Sequence, residues 1–210
     1  MNIYSFLSIG YDLLDKIWLS PGGNDPRRVI ENLIPDEKVR ILDMCCGTFT
    51  NGLSIARKNR NSLVVGLDRS EAMLLEGRKK VRKEGLNNVK LLCRDATDTK
   101  LREGSFDYII IGLVLHECDP ALRERLLKEA HRLIKSNGHL IILEWEKQEK
   151  ICRKIKYAPL YMTEVMCTPK YFKDFYTADK NKLFSKYGFE TEHYISCNYT
   201  VVMCLNKSED

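Results

Sequence analysis

Three aspartates at the ends of apolar runs carry the first legible chemistry: Asp43, Asp68 and Asp95. Asp43 closes the run Val39-Arg40-Ile41-Leu42-Asp43 and leads into Met44-Cys45-Cys46-Gly47-Thr48-Phe49-Thr50-Asn51-Gly52. A turn between a strand and a helix presents backbone N–H groups to a polar ligand. A dinucleotide fingerprint would need glycines at 45, 47 and 50, and only Gly47 is present. A phosphate loop would end in Gly-Lys-Ser/Thr, which is also missing. Asp68 is placed to accept hydrogen bonds from both hydroxyls of a ribose, or to put charge at a helix N-terminus. Asp95, in Cys93-Arg94-Asp95-Ala96, is placed to accept from an adenine amino group or to cap its own loop. In register, the three aspartates point to a nucleoside ligand other than NAD.

His116 is the first residue after the apolar run 106–115 that titrates near neutrality. It suits a general base or a group that orients an acceptor; the other reading is a histidine hydrogen-bonded within its loop. Glu117, Tyr161 and Tyr171 are weaker candidates, and His131, His139 and His193 read as surface or strand residues. The eight cysteines contain no C-x-x-C pair, against a zinc ribbon or a thioredoxin-like motif. They read as reduced, buried small hydrophobes, or else as thiols that handle a metalloid or a redox signal. No metal is expected.

The elements that must position these residues alternate. Strands are expected over 39–43, 62–68, 89–93, 106–115 and 139–145. Helices are expected from the first turn to about residue 58, over 70–84 with Ser70 as N-cap and Gly85 closing, and from Asp119-Pro120 to about 136–138. Such alternation predicts an α/β fold, with a mostly parallel sheet and helices on both faces. A helix over 177–187 then precedes two strand-like runs, 189–196 and 199–205. The link between them is too short for a parallel crossover, so they are expected as an antiparallel hairpin at the sheet edge. Residues 1–34 read as one or two helices interrupted at Pro21-Gly22-Gly23. Residues 146–176 hold Tyr157, Tyr161, Met162, Met166, Tyr171, Phe172, Phe175 and Tyr176. They read either as core-facing helix residues or as a lid over a ligand at the carboxyl ends of the strands.

The motifs Val39-Arg-Ile-Leu-Asp-Met-Cys-Cys-Gly-Thr48, Val65-Gly-Leu-Asp-Arg-Ser-Glu-Ala-Met73, Asp95-Ala96 and Ser105-Phe-Asp-Tyr108, in this order, resemble class I S-adenosylmethionine-dependent methyltransferases. Within them the chain is most similar to the ubiquinone/menaquinone-biosynthesis C-methyltransferases, through the Asp-x-Cys-Cys-Gly-Thr turn, Tyr11-Asp12-Leu13-Leu14-Asp15 and Gly85-Leu-Asn-Asn-Val89. The resemblance implies a Rossmann-like sheet of seven strands and S-adenosyl-L-methionine as cofactor, leaving S-adenosyl-L-homocysteine. It implies that Asp43 holds the turn and the methionyl amino group, and that Cys45 and Gly47 line the cofactor. Asp68, with Arg69 beside it, would meet the ribose, and Asp95 with the Ala96 N–H the adenine. Leu113 would border the methyl-transfer site and Tyr11 would close over the methionyl end. His116 and Tyr161 are the expected catalytic residues. The chain departs from the family at Phe49, where glycine is common. It also has Ser136-Asn137-Gly138 for Pro-Gly-Gly and Leu115-His116-Glu117 for Leu-Arg-Asn.

Composition sets the remaining bounds. With 210 residues, 44% hydrophobic and 30% charged, the chain is expected as one domain: a helical cap over 1–34 and an aromatic insertion over 146–176 on a single methyltransferase domain. No apolar run approaches the roughly 20 residues of a membrane span, and no secretory leader is visible, so a cytoplasmic monomer or homodimer is expected. The net charge of +5 is spread along the chain, and Arg78-Lys-Lys-Val-Arg-Lys83 reads as a solvated helix face rather than a nucleic-acid patch. The expected partner is a small-molecule methyl acceptor. The competing readings are a cofactor-binding protein without transferase activity, prompted by Phe49, and a methyltransferase of protein or nucleic acid.

Overall fold

The computed structural model describes residues 25–208, residue 168 excepted. Seven strands form one sheet in these residues: β1 (Arg40–Met44), β2 (Leu63–Asp68), β3 (Val89–Cys93), β4 (Phe106–Gly112), β5 (Ile134–Trp145), β6 (Phe189–Cys197) and β7 (Thr200–Lys207), in the order β3-β2-β1-β4-β5-β7-β6. The first five are mutually parallel, β7 runs antiparallel to β5, and β6 antiparallel to β7. The expected α/β sheet with a C-terminal antiparallel hairpin is therefore present. The helices are α1 (Pro26–Leu33), α2 (Thr50–Lys58), α3 (Glu71–Lys83), α4 (Pro120–Leu133), α5 (Ile151–Cys167), α6 (Pro169–Thr177) and α7 (Lys180–Ser185).

Period-two alternation along the strands divides the core into two layers. Leu42, Met44, Ile109, Ile111, Leu140 and Ile142 face α4 and α7 through Leu126, Leu127, Ala130 and Phe184. Ile41, Val64, Ile110, Ile141 and Val202 face α1 and α2 through Ile30, Leu53, Ile55 and Ala56. Strands buried on both faces must be apolar throughout, which is why β4 reads as a continuous run.

Local chemistry sets several boundaries, those at Ser70 and Asp119 as expected. Asp25, Ser70, Asp119 and Asp179 cap their helices through side-chain oxygens, with Pro26 and Pro120 opening two of them. Three boundaries differ. β4 stops at Gly112, because Leu113 takes φ +55° and breaks the extended backbone. α4 stops at Leu133, and Ser136-Asn137-Gly138 lies inside β5, where the register with β4 shifts between Phe106 and Tyr108. A Cβ on Gly138 would stand 2.9 Å from the Asp107 carbonyl oxygen, so this glycine serves a close strand contact and not a helix end. The helix expected over 177–187 is instead the end of α6 and the short α7. Tyr11 and the expected break at Pro21-Gly22-Gly23 lie outside the described residues.

Candidate active site

The loops that follow β1, β2, β3 and β4 gather at the carboxyl edge of the sheet. The first is tightly wound: Cys45, Gly47 and Phe49 all adopt positive φ, at 60°, 51° and 61°. Leu113, after β4, is also held at positive φ. Non-glycine residues in this region cost energy and concentrate where loops must present groups to a ligand. Lys80 pins the first loop from α3 by donating to the hydroxyls of Thr48 (2.9 Å) and Thr50 (3.0 Å).

Asp43 is buried, and its Oδ2 accepts from the Gly52 N–H at 2.8 Å, tying the end of β1 to the start of α2. Burial pushes its pKa up to about 7, against the Gly52 hydrogen bond and with the Asp68 charge adding to it. A cationic ligand group beside it would relieve that cost. Asp68 accepts from Gly47 N and Ser70 N, both at 2.8 Å, one on each oxygen. Each carboxylate oxygen keeps acceptor capacity for a hydroxyl. Asp95 is exposed; hydrogen bonds from the Thr97 N–H and hydroxyl, both 2.8 Å, hold its carboxyl below the usual carboxylate range. Arg69 is exposed, Ala96 is buried, and nothing lies within 4 Å of a Cβ built on Gly47. Gly47 thus borders an open strip beside the strained loop.

Phe49 does not enter that strip. Its ring is fully buried beneath the loop, where Cβ atoms added to Gly52, Gly66 or Gly77 would stand 2.1, 2.6 and 3.1 Å from its atoms. Three glycines on α2, β2 and α3 thus make room for one phenylalanine.

His116 is 2% exposed, and its Nδ1 lies 2.7 Å from Glu144 Oε2. Glu144, fully buried on β5, also accepts from Leu115 N at 2.8 Å and Val114 N at 3.2 Å. Glu164, from α5, lies 3.4 Å from His116 Nε2. Burial disfavours the imidazolium, but the Glu144 charge and hydrogen bond, reinforced by Glu164, push the histidine pKa up to about 10. Burial also raises Glu144, yet the His116 charge holds it below the usual range. The two carboxylates thus favour the protonated form of His116. Arg123 fixes the loop from beneath, donating to the carbonyls of Leu115 (3.0 Å) and Cys118 (2.9 Å) while stacked on Phe175.

The aromatic segment packs over this pair. Trp145, Tyr157 and Phe172 form a buried cluster, with Tyr161, Tyr176, Tyr199 and Leu113 against it. Phe172 meets His116 edge-on at 5.6 Å and Tyr161 at 5.5 Å, so both expected catalytic residues touch one ring. Met162 and Met166 are exposed. Among the described residues the cysteines are free thiols, with Cys118, Cys197 and Cys204 buried; burial foremost raises the pKa of Cys45. Sequence reasoning missed Glu144 as a partner, as well as Glu164 and Arg123. A glutamate inside Leu140-Ile-Ile-Leu-Glu-Trp145 was the available signal, since a charge in a buried strand demands a partner.

Residues 41–138 match a family described as a methyltransferase domain. That stretch is just under half of the chain, and its fold resembles that of S-adenosylmethionine-dependent methyltransferases. Its relatives include demethylmenaquinone methyltransferases from Geobacillus kaustophilus, 40% identical over 106 residues, and from Bacillus subtilis, 33% identical over 114 residues. These matches cover 50% and 54% of this chain and 44% and 48% of those proteins, so less than half of each relative is matched. A SAM-dependent methyltransferase from Aquifex aeolicus superposes with TM-score 0.67 at 18% identity, covering 98% of both chains. The 1,6-didemethyltoxoflavin-N1-methyltransferase of Burkholderia thailandensis, solved with bound 1,6-didemethyltoxoflavin and S-adenosylhomocysteine, superposes with TM-score 0.68 at 14% identity over 99% of this chain and 88% of that one. Among the described residues no helix is long and apolar enough to cross a membrane.

Proposed function

We propose that this protein transfers a methyl group from S-adenosylmethionine to a small-molecule acceptor by in-line displacement. The observation that carries the reading is the strained loop 45–49 beside Asp43, Asp68 and Asp95, with the aromatic-covered His116 next along the same sheet edge. Asp43 would meet the methionyl ammonium. Asp68 and Arg69 would meet the ribose, Asp95 and the Ala96 N–H the adenine, and Cys45, Gly47 and Leu113 would line the path to the methyl. Tyr11 would close over the methionyl end. The sulfonium supplies the electrophile, so the protein's task is to align the acceptor and exclude water. Leu113, Trp145, Phe172 and Tyr161 would provide the apolar wall, and His116 would orient an acceptor oxygen. The helices at 146–176 and the segment 1–34 would together cover the acceptor, all within one domain.

Burial of Phe49 in the core removes the reason to favour a protein that binds the cofactor without using it. The demethylmenaquinone methyltransferases make a quinol-like ring a sensible first acceptor to assay. The test pairs calorimetric titration of S-adenosylhomocysteine and NAD with mass spectrometry of acceptor pools incubated with labelled cofactor. Binding of S-adenosylhomocysteine well above NAD, with a methylated small molecule, is expected. Tighter binding of NAD, or methylation of protein or nucleic acid alone, would refute the reading.

A further inference from the structure

We infer that His116, Glu117 and Glu164 bind one first-row divalent cation of the zinc or manganese type at the carboxyl end of β4. Ligand atoms of the three side chains all lie within 4.8 Å of one another. His116 Nε2 stands 3.4 Å from Glu164 Oε2 and 3.9 Å from Glu117 Oε1. Ions of this type hold nitrogen and oxygen donors at roughly 2.0–2.2 Å, so ligands on such a sphere lie about 3–3.6 Å apart. The two separations from His116 need close by at most a few tenths of an ångström.

A second observation points to a ligand. Nε2 of His116 is buried and has no hydrogen-bond partner, although it faces two carboxylates. The other ring nitrogen is fixed by Glu144 at 2.7 Å, and Glu144 is in turn held by backbone N–H groups of the same loop. A carboxylate on one imidazole nitrogen, with the other nitrogen aimed outward, is how proteins orient a metal-binding histidine. Three carboxylates, Glu117, Glu144 and Glu164, stand within 4 Å of this imidazole. Imidazole with carboxylates suits zinc, iron or manganese better than calcium. Three protein ligands leave at least one coordination position for water or another oxygen. If the methyltransferase reading holds, that position would take the oxygen of the acceptor; the cation site itself does not depend on that reading.

The test is titration of the full chain, stripped with EDTA, with Co²⁺ in the absence of cofactor and acceptor, followed by visible absorption and calorimetry. One equivalent should bind with ligand-field bands of a nitrogen–oxygen site and no thiolate charge-transfer band. Glu164→Gln and Glu117→Gln should each weaken binding at least about tenfold, and Glu144→Gln should weaken it through loss of histidine orientation. Glu117 is half-exposed, so its variant folds even where changes at the buried pair do not. The cluster His139, Glu192 and Cys204 supplies the internal control. A thiolate band that disappears in Cys204→Ser, binding unaffected by the glutamate variants, or no binding at millimolar cobalt would each overturn the assignment. Methyl transfer is not measured, so the outcome stands apart from that of the proposed activity.

Discussion

Gly52→Ala should destabilise this protein, although glycine-to-alanine inside a helix is ordinarily favourable. Gly52 sits in the first turn of α2, where alanine would gain up to about 1 kcal/mol in propensity. The added Cβ, however, would stand 2.1 Å from Phe49 Cε2 and 2.6 Å from Cζ. The ring cannot retreat, because Gly66 on β2 and Gly77 on α3 are already closed against it. Overpacking of this kind costs roughly 1–3 kcal/mol. Phe49→Ala alone should cost about 3–5 kcal/mol from lost burial and the cavity left behind. Relief of the left-handed backbone is not part of that figure, since alanine also pays for φ +61°. In the Phe49→Ala background the obstruction is gone, and Gly52→Ala should turn neutral or stabilising. The coupling in the double-mutant cycle should therefore reach about 2 kcal/mol or more, read from urea unfolding of the four proteins. Strictly additive effects would show that Phe49 does not occupy this space.

Asp43 should make unliganded stability fall as pH rises. Its folded pKa of about 7 lies above the ordinary 3.8, so the native state binds more protons between these values. The loss accumulates across that window to at most about 4 kcal/mol and is flat above it. Asp43→Asn should flatten the slope in thermal melts while weakening S-adenosylhomocysteine; an unchanged slope would remove burial as its cause. Asp68→Ala should cost about 1–3 kcal/mol of cofactor affinity by calorimetry, and an unchanged affinity would exclude the ribose contact. Arg123→Met should lose about 2–3 kcal/mol of stability by freeing the Leu115 and Cys118 carbonyls, and should lower turnover more than cofactor affinity. A melting temperature equal to the parent's would refute that role.

What could be read in advance followed from local chemistry. The apolar runs of β1 to β4, the Ser70 and Asp119 caps and the final hairpin each depend on short stretches whose composition decides the outcome. Ser136-Asn137-Gly138 misled because glycine after a helical pattern usually ends a helix, whereas here the restriction comes from Asp107 on the neighbouring strand. Phe49 looked like an obstruction in the cofactor loop because its glycine partners lie on three separate elements. The His116–Glu144 pair spans 28 residues, and the carboxylates that raise the histidine pKa are brought to it only by the assembled sheet and α5.

The order of strands has a consequence for synthesis. β7 lies between β5 and β6, pairing with β5 from His139↔Asn206 to Trp145↔Thr200. Until residues 200–207 leave the ribosome, β5 is an open edge bearing Leu140, Ile141, Ile142 and Leu143. Such an edge invites pairing with another chain. From the synthesis of residue 145 until β7 emerges, the nascent protein thus carries this apolar edge unpaired, and a stop codon before residue 200 should yield aggregates rather than a shortened fold. Chaperone dependence should accordingly track the emergence of the last strand.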